Sequence, residues 1–198
     1  DSGDLAVLTL LDLSAAFDTV DHETLLNRLR QSYGLGGRVH DWFRSYLNGR
    51  FQSVRCGGTS SNPSQLVCGV PQGSVLGPLL FSLYISPIGT IASNSNISLQ
   101  QYADDTQLFF ATTVNGLHSN LARFEECLST LHSWFCSNGL SLNSDKSESI
   151  VFGTRQRLRT FPTPSGISVA GTTVPISGHI KTLGVILDSH LTFTEHIS

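Results

Sequence analysis

The sequence contains no methionine, and charged residues make up only 14% of its 198 positions, against about 25% in an average soluble domain. Because 39% of the residues are hydrophobic, the chain can bury a sizeable core, which excludes disordered and fibrous proteins. The formal net charge is −3, so the basic excess expected of a self-sufficient nucleic-acid-binding domain is missing. The absence of methionine and the first residue, Asp1, predict an internal piece of a longer polypeptide.

Signals for zinc binding and for membrane insertion are also missing. None of the four cysteines forms a C-x-x-C pair, which argues against a structural zinc site. Free, buried thiols are typical of a reducing compartment, so we expect an intracellular protein of the nucleus or cytoplasm. There is no signal peptide, and the longest apolar segment, residues 75–88, is broken by glycine and proline, so we expect no membrane contact.

The first half of the chain contains clear strand and helix patterns. A nearly continuous apolar run over residues 5–11 predicts a strand buried on both faces, and the run ends at a charge, Asp12. Asp21 is a good N-cap for a helix that ends at Gly34. We further predict a short helix at 39–47, an inserted hairpin at 51–68 and an apolar helix ending before residue 87.

The second half contains the clearest helix, over residues 116–138, where apolar residues recur in steps of four and three along one face. Before it, strands at 97–103 and 106–111 meet at Asp104 and Asp105, the tightest hairpin spacing. After it we predict a strand at 149–152, a loop at 155–166 and strands at 167–170 and 181–188.

Without the inserted hairpin, the predicted order is β-α-β-β-α-β, the ferredoxin-like split unit of an α+β fold. In this topology the first and third strands lie side by side in the centre of the sheet. Asp12 at the end of the first strand would then face the turn at Asp104 and Asp105, although these residues are far apart along the chain.

Carboxylates this close repel one another and destabilise the sheet unless a cation is bound. Mg²⁺ prefers oxygen ligands and binds through a few carboxylates together with substrate phosphates. Two such ions, about 3.5–4 Å apart, stabilise the attacking and leaving oxygens of phosphoryl or nucleotidyl transfer. Paired aspartates at a hairpin are also ordinary turn residues, so the metal site depends on Asp12 joining them.

Five sequence blocks resemble the motifs of non-LTR (LINE-type) retrotransposon reverse transcriptases. The blocks similar to motifs A, B, C, D and E are residues 11–22, 69–78, 102–105, 139–143 with Lys146, and 183–188. A lone Y-x-D-D is a weak signal, but five blocks in family order across nearly the whole chain are highly specific. The resemblance implies the palm of a right-hand polymerase, which copies an RNA template by adding deoxynucleoside triphosphates to a DNA primer.

The resemblance also implies a domain organisation. Residues 1–198 would be a reverse transcriptase domain fragment, with the hairpin insertion at about 51–68 and the motif E strand at about 181–188. The family's fingers precede motif A and its thumb follows motif E, so both would be truncated, and the endonuclease would lie elsewhere in the parent polyprotein. We therefore expect the isolated fragment to bind nucleic acid poorly and to have little or no activity.

By this resemblance, Asp12 and Asp104 would bind two Mg²⁺ ions, or Mn²⁺ instead, and Asp105 would support the ion on the primer side. The backbone carbonyl of Leu13 would complete a coordination shell. One ion lowers the pKa of the primer 3′-hydroxyl, and the other holds the triphosphate. Lys146 would protonate the leaving pyrophosphate as a general acid, although a solvated surface lysine is an equally good interpretation.

The resemblance assigns three further residues to nucleotide binding. Phe17 would pack under the incoming sugar and exclude a 2′-hydroxyl, with a plain core position as the alternative. Gln72 and Gly73, in the turn that opens the apolar helix, would contact the incoming nucleotide or the template base. Three arginines at residues 155–159 form a small basic cluster, either solvated or in contact with a template or primer phosphate.

Two other interpretations stay open from the sequence. A non-catalytic remnant, or a domesticated module that binds nucleic acid or protein, would keep the fold without the activity, although the intact carboxylates count against decay. A polymerase that makes RNA, or a palm-fold nucleotide cyclase, is disfavoured by Phe17 and by the turn at residues 71–73.

Overall fold

The computed structural model describes residues 5–113, 115–161 and 164–197. The chain divides into two compact units. We call the first the sheet unit, which contains the residues up to 14, 87–137 and those from 141 onwards, and the second the helical unit, which contains residues 15–86 and 138–140.

The secondary structure alternates between helices and strands. The first half contains β1 (Leu5–Ser14), α1 (His22–Gln31), α2 (Gly37–Leu47), β2 (Phe51–Gln52), β3 (Arg55–Cys56), β4 (Thr59–Ser60), β5 (Ser64–Gln65), α3 (Leu76–Ile85) and α4 (Pro87–Asn94). The second half contains β6 (Ser98–Tyr102), β7 (Asp105–Thr112), α5 (Leu117–Ser137), β8 (Ser141–Phe152), α6 (Arg155–Thr160), β9 (Gly166–Val169), β10 (Thr172–Ser177), β11 (His179–Thr182), β12 (Val185–Asp188) and α7 (Thr194–Ile197).

The sheet unit is organised around a six-stranded sheet with the strand order β6-β7-β1-β8-β10-β9. Strand β1 pairs antiparallel with β7 on one side and with β8 on the other. The four strands β6, β7, β1 and β8 have the strand order of the ferredoxin-like unit. The predicted α+β fold, with its first and third strands adjacent, is therefore confirmed.

Side chains of β1 alternate between the two faces of this sheet. Val7 is fully buried and pairs with Phe110, whose ring contacts Phe124 of α5 with a centroid distance of 4.9 Å. The even-numbered residues of β1 lie on the opposite face, where Leu8 packs against Ile180 of the β11–β12 hairpin. The hairpin thus covers part of the face to which the even-numbered residues belong.

The helical unit has its own core around α1 and α3. The carboxylate of Asp21 accepts a hydrogen bond from the backbone amide of Thr24 at 2.7 Å, so it is the N-cap that the sequence predicted. Leu25 of α1 and Tyr84 of α3 are fully buried. The hydroxyl of Tyr84 donates to the carbonyl of Asn138 at 2.6 Å, which ties the loop after α5 to this core.

Three helices were missed by sequence reasoning, including the short α7 at Thr194–Ile197. The predicted loop at 155–166 contains α6, which begins because the hydroxyl of Thr154 accepts a hydrogen bond from the amide of Arg157. The apolar helix does end before Pro87, but α4 begins at that proline. Proline is tolerated in the first turn of a helix, where its missing N–H has no partner to lose.

The strand predictions also needed correction. The inserted hairpin returns through β4 and β5 and not through residues 65–68, and β8 extends to residue 141. The predicted strand at 181–188 is part of a hairpin that turns at Leu183 and Gly184, with φ of 46° and 82°. Strand β10 was not predicted because it contains Pro175, a residue that normally argues against a strand interior.

Helices α3 and α4 form a helical stretch, Leu76–Asn94, of 19 residues with a mean hydropathy of 1.4, long and apolar enough to cross a membrane by length and composition only. Leu80, Phe81 and Ile85 of this stretch are fully buried, as in the core helix of a globular unit. The cysteines are free, and Cys127 alone among them is buried, so the expectation of buried thiols holds for that residue only.

Candidate active site

The register of β1 and β7 places two of the predicted carboxylates side by side. Leu11 pairs with Thr106 as the last pair of this ladder, so the next position on β1, Asp12, lies beside the next position on β7, Asp105. Leu11 and Thr106 are buried on one face of the sheet. Asp12 and Asp105, one position further along each strand, therefore share the other face. Asp12 is partly buried and Asp105 is exposed.

Asp104 lies in the tight turn that precedes β7. Tyr102 pairs with Asp105, so the two turn residues are Ala103 and Asp104, one position earlier than the sequence predicted. Ala103 has a φ of 53°, in the left-handed region, and the side-chain amide of Gln101 donates to its carbonyl at 3.1 Å. This turn places the carboxylates of Asp104 and Asp105 at the same end of the sheet as Asp12.

The three carboxylates influence one another electrostatically. Burial raises the pKa of Asp105 above its ordinary value, and the negative charges of Asp104 and Asp12 raise it further. Within the described ranges, no lysine, arginine or histidine forms an ion pair with any of the three. The site therefore concentrates negative charge that no ion pair within the described ranges neutralises.

The donor set fits a magnesium ion that is shared with a substrate. In the part of the chain that the structure describes, no three Asp, Glu, His or Cys side chains are grouped closely enough to hold a metal by themselves. Mg²⁺ commonly binds to proteins through one or two carboxylates and completes its shell with water and substrate phosphates. The adjacent Asp12 and Asp105 supply two such carboxylates, and Asp104 lies in the neighbouring turn.

A bulge in β8 holds the backbone next to these carboxylates. Leu10 pairs with Glu148, but Asp12 pairs with Asn143, so β8 uses three more residues than β1 between these two pairs. The buried hydroxyl of Ser147 accepts a hydrogen bond from the amide of Asp12 at 3.3 Å and donates to the carbonyl of Asn143 at 2.8 Å. Ser147 thus fixes the backbone of Asp12, and sequence reasoning missed it because no periodic pattern marks a bulge.

Two further predicted residues of the sheet unit lie beside the carboxylates. Lys146 belongs to the bulge, is exposed and forms no ion pair with any residue that the structure describes. Leu13 is buried and pairs with Leu142 of β8. The structure therefore brings Asp12, Leu13, Asp104, Asp105 and Lys146 to one end of the sheet unit.

The remaining predicted residues belong to the helical unit. Phe17 is half-buried and its ring stacks on the fully buried ring of Phe81, with centroids 5.0 Å apart and an interplanar angle of 23°. The amide of Val70 donates to the carbonyl of Phe17 at 2.8 Å. These contacts hold the ring in one orientation, which either a core position or a steric gate requires.

Gln72 and Gly73 lie in an exposed turn. The side-chain amide of Gln72 donates to the carboxylate of Asp18 at 3.2 Å, and Gly73 has a φ of 74°, a conformation that favours glycine. The turn is held by Ser74, whose hydroxyl donates to the Pro71 carbonyl at 2.7 Å. The same hydroxyl accepts a hydrogen bond from the amide of Gly77, the second residue of α3, at 2.9 Å.

A cleft of about 480 Å³ opens beside this turn. Gln72 and Asp18 line it together with Arg50 and His22, and the imidazole Nε2 of His22 is hydrogen bonded to the carbonyl of Gly69 at 2.8 Å. Sequence reasoning did not single out Asp18, His22 or Arg50 as site residues. Asp18 and His22 lie inside the block similar to motif A, so that block was the available signal for two of them.

A comparison with protein families matches residues 2–187 to the model described as "Reverse transcriptase (RNA-dependent DNA polymerase)". The chain is 31% identical, over its whole length, to the "Probable RNA-directed DNA polymerase from transposon X-element" of Drosophila melanogaster and covers 21% of that protein. It is 30% identical, over 98% of its length, to the "RNA-directed DNA polymerase from mobile element jockey" of the same species, again covering 21%. The chain thus spans about a fifth of the length of these curated relatives.

Solved structures show the same fold at much lower sequence identity. The structure of apo telomerase from Candida tropicalis truncated from the C-terminal domain matches with a TM-score of 0.63 and 13% identity, over 96% of this chain and 35% of that chain. Telomerase from Candida albicans matches with a TM-score of 0.57 and 13% identity, over 94% of this chain and 30% of that chain.

Proposed function

Since this chain belongs to the reverse transcriptase (RNA-dependent DNA polymerase) family, we propose that it is the palm segment of a polymerase that copies RNA into DNA. The reaction is nucleotidyl transfer: the primer 3′-hydroxyl attacks the α-phosphate of a deoxynucleoside triphosphate, and pyrophosphate leaves. The template RNA, the DNA primer and the triphosphate are the proposed substrates. Fingers, thumb and endonuclease segments of a longer polyprotein are the proposed partners.

The observation that carries this proposal is the register that sets Asp12 beside Asp105. Asp12, Asp104, Asp105 and the carbonyl of Leu13 would hold two divalent ions, Mg²⁺ or Mn²⁺. Bound there, the ions would supply charge neutralisation for the attacking and leaving oxygens. The chain's own contribution is orientation, because Ser147 holds the amide of Asp12 while β7 holds Asp105.

The other roles are proposed from the same family membership. The Phe17 ring, held against Phe81, would exclude ribonucleotides by clashing with a 2′-hydroxyl. Gln72 and Gly73 would contact the nucleotide or the template base. Lys146, exposed and without an ion pair among the described residues, would donate a proton to the leaving pyrophosphate.

The test is RNA-templated primer extension, with Mg²⁺ and deoxynucleotides, by a longer polypeptide that contains this chain and its flanking segments. We expect Asp104→Asn to lower the extension rate by about 10²–10⁴-fold, the several kcal/mol that bound metal supplies. Asp41→Asn is the matched control, because it removes one exposed carboxylate of α2. Normal extension by Asp104→Asn would contradict the proposed reaction.

Two further assays separate the alternatives. Native polypeptide that binds primer and template but does not extend the primer would favour a non-catalytic remnant or binding module. Substituting ribonucleotides tests the role of Phe17, since the native enzyme should reject them and Phe17→Ala should accept them. We expect the 198-residue chain by itself to show little or no extension.

A further inference from the structure

A second polar site lies in the sheet unit, at the end of β1 away from the carboxylates. Two adjoining cavities of about 550 and 410 Å³ open between α6 and the loop that follows β12. Arg155, Ser189 and His190 line both cavities, and Arg159 lines the larger one. We call this pair of cavities the basic cleft.

The structure divides the three arginines of α6 into two classes. Arg155 and Arg159 are four residues apart, so they share one face of the helix, and both line the basic cleft. Arg157 lines neither of its two cavities. All three side chains are exposed, so Arg157 differs from Arg159 in direction and not in burial or charge.

The positive charge of the cleft is not balanced by an acid. None of the arginines of α6 forms an ion pair with a residue in the described ranges. Asp188 is close in sequence, but its carboxylate accepts hydrogen bonds from the amide of His190 at 3.0 Å, the hydroxyl of Thr192 at 3.0 Å and the amide of Phe193 at 2.8 Å. Its oxygens are therefore already engaged within their own loop.

Further hydrogen bonds hold the loop after β12 in a fixed position. The amide of Gly153 donates to the carbonyl of Ser189 at 3.1 Å, and the amide of Ser189 donates to the carbonyl of Gly178 at 3.1 Å. The imidazole Nδ1 of His190 lies 3.1 Å from the carbonyl of Gly153. Because a carbonyl can only accept, Nδ1 must carry the proton in this bond.

The basic cleft and the carboxylates lie on the same face of the sheet. Ala6 lines the smaller cavity, and Ala6 and Asp12 are both even-numbered residues of β1, whose side chains share one face. Ala6 and Asp12 are six steps apart along the strand, a distance of about 20 Å at about 3.3 Å per step. The β11–β12 hairpin lies on this face between the two sites, with Ile180 against Leu8 and Thr182 hydrogen bonded to Gln107 at 2.8 Å.

We propose that the basic cleft binds backbone phosphates of the template–primer duplex about 20 Å from the primer end. This inference rests on the proposed function, which puts the primer end at Asp12 and Asp105. Guanidinium groups form paired hydrogen bonds with phosphate oxygens. Such contacts position a duplex without reading its sequence.

The experiment measures binding of labelled RNA–DNA duplexes to the 198-residue chain by fluorescence anisotropy at several salt concentrations. Mg²⁺ is present and deoxynucleotides are omitted, so that the primer end can be held at the carboxylates while no synthesis occurs. The matched variants are Arg159→Ala and Arg157→Ala, which each remove one exposed charge from the same helix. For a duplex of about twelve base pairs, we expect Arg159→Ala to weaken binding about 3–10-fold and to reduce the salt slope by about one. Arg157→Ala should change the affinity less than about twofold.

Duplex length distinguishes the position of the contact. With a hairpin-closed duplex of about four base pairs, which cannot reach the cleft, the two variants should bind alike. Equal losses for both variants on the long duplex, or the same Arg159→Ala defect on the short one, would overturn the proposal. Inorganic phosphate is the competing ligand, and saturation of the cleft by phosphate without any effect of Arg159→Ala on duplex binding would identify a free-anion site instead.

The assay also separates this inference from the proposed function, because it needs no synthesis. If the 198-residue chain shows the Arg159→Ala defect but the longer polypeptide with its flanking segments never extends a primer, the proposed reaction alone is contradicted. One that extends primers normally but binds the long duplex equally with either variant would contradict the cleft alone. Unchanged urea-unfolding midpoints for both variants confirm that the surface arginines act on binding and not on the fold.

Discussion

Replacing Asp105 with asparagine should stabilise the fold when no divalent ion is present. The pKa of Asp105 is raised above its ordinary value of 3.8, first by burial and then by the charges of Asp104 and Asp12. Because a raised acid pKa means that ionisation is unfavourable in the folded state, stability falls as the pH rises from that ordinary value through the folded-state pKa. At neutral pH the ionised site therefore destabilises the native chain, and removing one charge relieves the cost.

The magnitude follows from the register. Side chains opposed on neighbouring strands have Cβ atoms about 5 Å apart, and unit charges about 6 Å apart repel by about 0.7 kcal/mol in water and about 2.8 kcal/mol at an effective dielectric constant of 20. Since the Asp105 side chain is exposed, solvent screening favours the lower end, about 0.5–1 kcal/mol. For a chain of this size that is a rise in Tm of about 1–4 °C.

Thermal unfolding in EDTA and in Mg²⁺ measures this effect. In EDTA, Asp105→Asn should unfold at a higher temperature than the native chain, and the control Asp41→Asn should match the native chain. Saturating Mg²⁺ should stabilise the native chain by about 2.7 kcal/mol at one hundred times its Kd and Asp105→Asn by much less. A lower Tm for Asp105→Asn in EDTA, or equal Mg²⁺ stabilisation of both chains, would refute the proposed carboxylate site.

Three further predictions test the supports of the two units. Ser147→Ala removes the hydroxyl that accepts a hydrogen bond from the amide of Asp12. The Mn²⁺ affinity, measured by electron paramagnetic resonance, should therefore fall about tenfold. An unchanged affinity would show that the bulge does not orient the site. Asp21→Ala should lower the free energy of unfolding by about 1 kcal/mol. Hydrogen bonds from the side chain and backbone of Thr24 lower the pKa of Asp21. The difference in unfolding free energy between the native chain and Asp21→Ala is therefore present above pH 3.8 and disappears as the pH falls through the folded-state pKa. Urea unfolding across this pH range checks it. Leu25→Ala, at a fully buried position, should cost about 2–5 kcal/mol in the same assay, and a loss below about 1 kcal/mol would contradict a packed core around α1.

Family membership and fold class were accessible from the sequence because the motifs are local and ordered. The apolar run of β1 and its interruption at Asp12 predicted a central strand with a polar end, and the apolar stripe of α5 predicted a long helix. The match over residues 2–187 confirms the family, and the ferredoxin-like strand order confirms the fold class. Assignments to individual site residues stay predictions until the variants are measured.

Elements whose signals are weak or contradictory could not be predicted. Helix α6 depends on one capping hydroxyl, at Thr154, among polar residues without a periodic pattern. Strand β10 contains Pro175, and its pairing with β8 and β9 depends on residues far along the chain. The bulge that positions Ser147 is a property of two strands together, so neither strand sequence reveals it.

By itself, the sequence determined the longer, periodic strands and helices, which face of these is apolar, and which residues could carry the chemistry, because these properties depend on neighbours within a few positions. Tertiary structure alone decided that Asp12 lies beside Asp105 and that Arg155 and Arg159, but not Arg157, line a cleft. Strand register and the packing of a loop against a helix arise from contacts between residues distant in sequence. A local pattern therefore cannot specify them.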